Sequence, residues 1–446
     1  MGAMSVFKAC DIRGEYGREL DETLARRLGQ AVGTRLSGKT VVVGGDVRLS
    51  TPSLKAALIE GLVATGCHVL DLGIVPTPAL GFARVRLGAE GSVMVTASHN
   101  PAGHNGFKLM LGDRPPSDEQ LQAIAAEMEA GAFAEGEGSV RPVEILPEYE
   151  ASLVRRFAPG GSLRLVVDCG NGCYSGVAVR VLSRLGYAVE GLFCEPDGRF
   201  PNRSPNPALP ESLRALRGRV TASQADLGLA FDGDGDRVAF VDARGVPAEP
   251  DRVAVLFARW LLREGPGEVI YDIKSSSVLP EAVEEAGGRA IMERSGHAFI
   301  KTTLLDRGAL FGAEISGHYF FRELGGDDAL FASCLLLHIL QAEGRGLAEL
   351  LADVPRHPIT PDIRLPCPPE KADAILEDLR RAFSDYPVGQ LDGTRIDFGD
   401  GWALARRSVT EALITLRFEA HSPARLDQIQ ALVRERVPAL AAIWRS

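Results

Sequence analysis

The chain is short of everything that would mark it for an oxidising compartment, a bilayer or a nucleic acid. Seven of its 446 residues are cysteine. Their number is odd, and no Cys-x-x-Cys pair or Cys/His cluster has zinc-site spacing. Reduced thiols and a cytoplasmic location are therefore expected. No apolar run reaches the length of a membrane-spanning helix, and the N-terminus shows no apolar leader segment. Positive charge is also scarce, with 49 Lys and Arg against 59 Asp and Glu and a formal charge of −10. A general nucleic-acid binder needs a basic surface to compete for phosphates. Neither a nucleic acid nor a membrane is an expected partner, although a local basic pocket for a small phosphate ester remains open.

What is present is an organised repeat. The length suits three or four domains, and a hydrophobic fraction of 45% suffices for sizeable cores. Three segments open alike, on short β-branched runs ending in Asp, Gly or a polar residue: Val41–Asp46, Leu165–Gly170 and Val269–Lys274. Each passes into helical periodicity, then a Gly and a second strand: His68–Leu70, Tyr187–Val189 and Arg289–Met292. Third strands follow at Ser92–Val95, Leu227–Phe231 and Ala309–Gly312. Alternating strands and helices predict α/β domains, here three related ones in tandem. From about Ile359 the pattern changes to a Pro-rich linker, a helix (Lys371–Phe383), strands at Ile396–Phe398 and Ala412–Glu419, and a terminal helix. The expected fold class is α/β: three related domains with mixed sheets plus a smaller C-terminal α+β domain around a central cleft. The expected boundaries are 1–146, 147–248, 249–358 and 359–446.

Ligands of open α/β sheets gather beyond the carboxyl ends of strands, so the loops after the third strands matter most. The second is the sharpest. Asp232, Asp234 and Asp236 alternate with Gly, an arrangement that can turn three hard oxygen ligands onto one divalent cation. An EF-hand would need Gly at the sixth position and Glu at the twelfth, where Arg237 and Ala243 stand. Arg237 suits an anionic substrate, because a guanidinium forks onto phosphate. The first loop holds Ser98 and His99. The nucleophile-elbow pattern is absent there, and adjacent side chains are expected to diverge, so a hydrolase triad is not indicated. Lys108, just downstream, supplies a cation for phosphate binding or proton transfer. The third loop, Glu314-Ile315-Ser316-Gly317-His318, offers hydrogen-bonding groups for sugar hydroxyls. A fourth cluster, Arg406, Ser408 and Thr410, has the makings of a phosphate cradle. The stretch Gly33–Thr40 satisfies the phosphate-loop pattern, but a helix precedes it and a strand follows. That is the wrong order, and it reads as a helix C-cap and turn.

Taken together, these motifs resemble the α-D-phosphohexomutase superfamily over essentially the whole chain, and in particular its bacterial phosphomannomutase/phosphoglucomutase branch. Phe7-Lys8-Ala9-Cys10-Asp11-Ile12-Arg13-Gly14 is similar to the family's opening motif. The resemblance implies a phosphorylated serine at Ser98 and metal ligands at Asp232, Asp234, Asp236 and the Ser98 oxygen. It implies a catalytic set of Ser98, Lys108, His318, Arg13 and His99, with Lys108 and His318 the unranked candidates for proton transfer. Substrate would be held by Arg237, Lys274, Gly296, His297, Glu314, Ser316, His318, Arg406, Ser408 and Thr410. The implied reaction moves a phosphoryl group between C1 and C6 of mannose or glucose phosphate. Mg2+ is the implied metal, and a hexose 1,6-bisphosphate the intermediate and activator. The enzyme would be a monomer or homodimer. Cys10 stands where an aromatic residue is usual, and Val409, Glu411 and Ala412 depart from the family's phosphate loop. A phosphoglucosamine mutase and a non-catalytic sugar-phosphate-binding relative are the alternative readings.

Overall fold

The structure, a computed structural model, describes residues 6–8, 11–157, 159–407 and 412–444. Cys10, Ser408, Val409, Thr410 and Glu411 lie outside the described residues. The described residues form four sheets in sequence order. In the first, Thr40–Gly45 pairs in parallel with His68–Ile74 on one side and Gly91–Val95 on the other. His104–Leu111 then returns antiparallel to Gly91–Val95, and Ile12–Glu15 closes the edge. The second sheet repeats the plan. Arg164–Asp168 lies parallel between Ala188–Leu192 and Leu227–Phe231, and Val238–Asp242 returns antiparallel. In the third, Glu268–Asp272 lies between Arg289–Glu293 and Phe311–Ala313, and Tyr319–Phe321 returns antiparallel.

The predicted repeat is thus present, with one element that the sequence reading passed over. In each of the three α/β domains the third strand is joined to an antiparallel return strand. The functional loops are the bends of these pairs, so both limbs of each bend are held by ladder hydrogen bonds. The first and third strands of the three domains are buried almost throughout, as expected for parallel strands covered on both faces. One apolar core runs from Val42 and Leu80 in the first domain through Phe231 and Phe240 to Phe257, Phe311 and Leu336 in the third. Asp328 ties this core together. Its carboxylate caps the helix Ala329–Glu343 by accepting from Leu330 and Phe331 N–H at 2.9 Å, and it also accepts from the Tyr149 and Tyr174 hydroxyls.

The fourth domain departs from expectation. Its described residues form a five-stranded sheet, with Leu413–Ala420 between Ile363–Pro366 and Gly401–Arg407. The Pro-rich stretch is therefore only partly a linker: Ile363–Pro366 is an edge strand, a position where a terminal proline costs no ladder hydrogen bond. Gly401–Arg407 was not foreseen, so Arg406 sits on a strand rather than in a loop. The phosphate-loop look-alike resolves as predicted: Gly33 lies inside the helix Glu22–Arg35, Gly38 turns with φ +73°, and Thr40 begins a strand. The six described cysteines are free thiols, and no described helix is long and apolar enough to cross a membrane.

Candidate active site

Three of the four predicted loops meet. Ser98 is fully buried and has φ +50°, a left-handed conformation that non-glycine residues rarely adopt. The bend turns its hydroxyl onto the second domain, where Oγ donates to Asp232 Oδ2 at 2.8 Å across 134 positions of sequence. The same bend brings His99 Nδ1 within 3.3 Å of Ser98 Oγ. This corrects the expectation that the neighbouring side chains diverge, which assumes an ordinary backbone at Ser98. Gly233 packs so closely beneath the loop that a Cβ there would stand 2.6 Å from the Ser98 carbonyl oxygen.

The Ser98 loop is braced by a residue that sequence reasoning missed. Arg48 is completely buried. Its guanidinium donates to Asp46 Oδ2 at 2.9 Å and to the carbonyls of Ser98, Asn100, Pro101 and His104 at 2.6–3.0 Å. Asp46 in turn accepts from Thr51 and Thr96 hydroxyls. The signal lay in the first strand's polar end, Asp46-Val47-Arg48. An equivalent brace serves the aspartate loop, where Arg203 bonds Asp168 Oδ2 at 2.9 Å and the Phe231 carbonyl at 2.7 Å.

Asp232, Asp234 and Asp236 are all buried, and each offers an oxygen within 4.8 Å of the others. Lys108, on the return strand of the first domain, bonds Asp234 Oδ2 at 2.7 Å and also pairs with Asp236. Thr77 donates to Asp234 Oδ2 at 2.7 Å. Burial works against the Lys108 ammonium, yet Asp234 and Asp236 outweigh it and raise its pKa. Burial, Asp236 and Asp234 together push the Asp232 carboxyl well up. The donor set is all oxygen, and Asp234 Oδ1 is buried without a hydrogen-bond partner. Such a cluster fits a hard divalent cation.

The third-domain loop joins from the other side. His318 is buried, with Nε2 at 3.1 Å from Asp236 Oδ1 and Nδ1 at 2.8 Å from Glu314 Oε2. Burial opposes its charge, but Asp236 dominates and lifts its pKa to about 9. Glu314 is held down to about 2, the pairing with His318 overcoming burial. Arg237 Nε lies 3.3 Å from His318 Nε2, and Ser316 Oγ lies 2.9 Å from His318 Nδ1. The amide of Gly296 donates to Glu314 Oε1 at 2.8 Å. His297 faces Asp11 at 3.8 Å, and Asp11 pairs with Arg13 at 2.7 Å, joining first and third domains. Arg13 also reaches the Ala97 carbonyl and Asn100 Oδ1 at 3.4 Å. Burial, Arg237 and Arg13 hold His99 well below the usual imidazole range.

The fourth cluster stands apart among the described residues. Arg406 pairs with Asp392 of its own domain at 2.7 Å, while Lys274 bridges to Asp362 of the fourth domain at 2.7 Å. Asp11, Asp362 and Asp392 are further partners that the sequence reading did not single out.

Against this geometry, the chain matches the phosphoglucomutase/phosphomannomutase family domain by domain. The α/β/α domains I, II and III match residues 4–135, 148–245 and 249–357, and the C-terminal domain matches 363–436. The chain belongs to this family. A phosphomannomutase/phosphoglucomutase of Pseudomonas aeruginosa is 40% identical over 444 residues, covering 98% of this chain and 96% of that one. A phosphoglucomutase of Neisseria gonorrhoeae is 38% identical and covers 95% of each. A phosphoglucomutase/phosphomannomutase family protein of Burkholderia thailandensis, solved by crystallography, has a TM-score of 0.92 and 37% identity, covering 99% of this chain and 98% of that one. Membership makes the chain an isomerase.

Proposed function

We propose that the enzyme carries a phosphoryl group on Ser98 Oγ and exchanges it between the C1 and C6 oxygens of mannose or glucose phosphate. The observation that carries this reading is the left-handed turn at Ser98, which holds a buried hydroxyl 2.8 Å from an aspartate of another domain's loop. Phosphoryl transfer depends on positioning and charge neutralisation more than on covalent help. Asp232, Asp234, Asp236 and the Ser98 oxygen would hold a magnesium ion, which supplies charge neutralisation at the transferring group.

In the forward half-reaction the phosphoserine P–O bond breaks and a bond forms to the free hydroxyl of a hexose monophosphate. That hydroxyl gives up its proton, Ser98 Oγ takes one up as it leaves phosphorus, and the products are a hexose 1,6-bisphosphate and the free serine. The bisphosphate then reverses its orientation and returns its other phosphate to Ser98. Lys108, His318 and Arg237 surround the cluster with positive charge. Lys108 and His318, both kept charged by the neighbouring aspartates, are the groups proposed to deliver the proton that Ser98 Oγ takes up as it leaves. Glu314 and Ser316 present acceptors and a hydroxyl for sugar oxygens that look alike in both orientations. Arg13, His99, Lys274, Gly296, His297 and Arg406, with Ser408 and Thr410, complete the proposed grip on the sugar and its resting phosphate.

Ser98→Ala tests the reading. Isomerisation of glucose 1-phosphate, followed by phosphorus NMR with magnesium and bisphosphate activator, should fall by several orders of magnitude with an unchanged circular dichroism spectrum. Isomerisation near the wild-type rate would sink the serine mechanism. A phosphoglucosamine preference is the second reading, supported by a Methanopyrus kandleri relative named "Probable phosphoglucosamine mutase" at 37% identity over 436 residues. Parallel rates on mannose, glucose and glucosamine phosphates separate the two.

A further inference from the structure

Away from the active site, two imidazoles and a carboxylate converge where the third and fourth domains join. Glu281 lies on the helix Val278–Glu285 of the third domain. His357 lies in the connecting segment, and His421 directly follows the fourth-domain strand Leu413–Ala420. One ligand atom from each lies within 4.8 Å of the other two. Glu281 Oε2 is 3.1 Å from His357 Nε2, and Oε1 is 3.8 Å from His421 Nε2. The two rings stack at 4.5 Å with 20° between their planes.

We propose that these three side chains form a binding site for one divalent transition-metal ion of the zinc class, tying the fourth domain to the third. Zinc bonds to nitrogen and oxygen are about 2.0–2.2 Å long, which sets tetrahedral ligands about 3.3–3.5 Å apart. The two separations from Glu281, 3.1 and 3.8 Å, bracket that spacing. The 3.8 Å gap is too long for a hydrogen bond yet within reach of a shared ion. Two imidazoles and one carboxylate select zinc, cobalt or nickel over magnesium, which prefers oxygen ligands and retained water. The site therefore differs in chemical class from the three-aspartate cluster.

The backbone is held before any metal arrives, and one half-exposed ring turns out of the stack to bring its nitrogen lone pair onto the ion. Ala420 N–H donates to the Pro358 carbonyl at 3.0 Å, and His421 N–H donates to the Asp400 carbonyl at 3.0 Å, so the backbone beside both histidines is fixed. His421 and Glu281 are about half exposed, leaving an open path for the ion and room for a water as fourth ligand. Because the ligands come from both domains and the segment between them, bound metal would act as a cross-link between the two domains.

The test uses full-length enzyme purified without a polyhistidine tag, stripped with chelator and kept in saturating Mg2+. Titration with Co2+ should give one equivalent of tetrahedral visible absorption, bleached by Zn2+. His421→Ala and Glu281→Gln should each weaken it about tenfold or more. Asp234→Asn, which alters the other cluster, should leave it in place. Zn2+ should raise the Tm of the wild type but not of His421→Ala, and the metal-free Tm values of the two should agree. Absence of the tetrahedral band, or a band equally strong in His421→Ala and Glu281→Gln, would overturn the proposal. So would a band lost only in Asp234→Asn.

Discussion

Arg48 shows how much of this site rests on residues that never meet the substrate. Its guanidinium has no exposure, neutralises Asp46, and gathers four carbonyls of the Ser98 loop. A buried guanidinium with every donor engaged is costly to replace, because its partners are left unpaired in a medium of low dielectric. Lysine keeps the charge but not the planar fork. Arg48→Lys is therefore expected to fold, to lose about 1–3 kcal/mol in urea unfolding, and to lower kcat more than KM, since it is the serine's posture that suffers. Steady-state kinetics on glucose 1-phosphate check this, and an unchanged kcat would show that the loop holds itself.

Among the elements, the parallel strands and their following helices were legible because β-branched runs alternate with helical periodicity. The return strands were not. His104–Leu111 begins His-Asn-Gly, which reads as a turn, and Gly401–Arg407 contains no β-branched residue. The three aspartates could be named as one cluster from spacing alone. Lys108 against Asp234, or Ser98 against Asp232, joins side chains more than a hundred positions apart, and nothing in local pattern encodes that register. The helix Pro250–Leu261 carries a further consequence. Asp251 in its first turn is buried, and burial pushes its carboxyl up to about 7 despite the Ser276 N–H it accepts. Between pH about 4 and 7 the folded chain thus keeps a proton that the unfolded chain, with an ordinary carboxyl near 3.8, has released. Stability contributed by this group falls as pH rises through that window. Asp251→Asn should flatten the slope of the urea midpoint against pH over the same range, and an identical slope would show that Asp251 titrates normally when folded.

For the whole molecule, the placing of loops from three domains around one buried charge cluster explains why a single chain repeats one plan. Each domain presents the same bend, and each bend brings different chemistry: a hydroxyl, three carboxylates, an imidazole paired with a carboxylate. The fourth domain is joined more lightly. Lys274 bonds Asp362, Glu419 accepts from Ser277 N–H and Trp402 Nε1, and Ile273 packs on Trp402 and Leu404. The most direct test of the serine-carried transfer is peptide mass spectrometry after brief exposure to magnesium and 18O-phosphate-labelled glucose 1,6-bisphosphate. The account predicts one labelled phosphate on Ser98, which passes to hexose monophosphate when substrate is added. Label found on another residue, or isomerised product without any labelled protein, would contradict it.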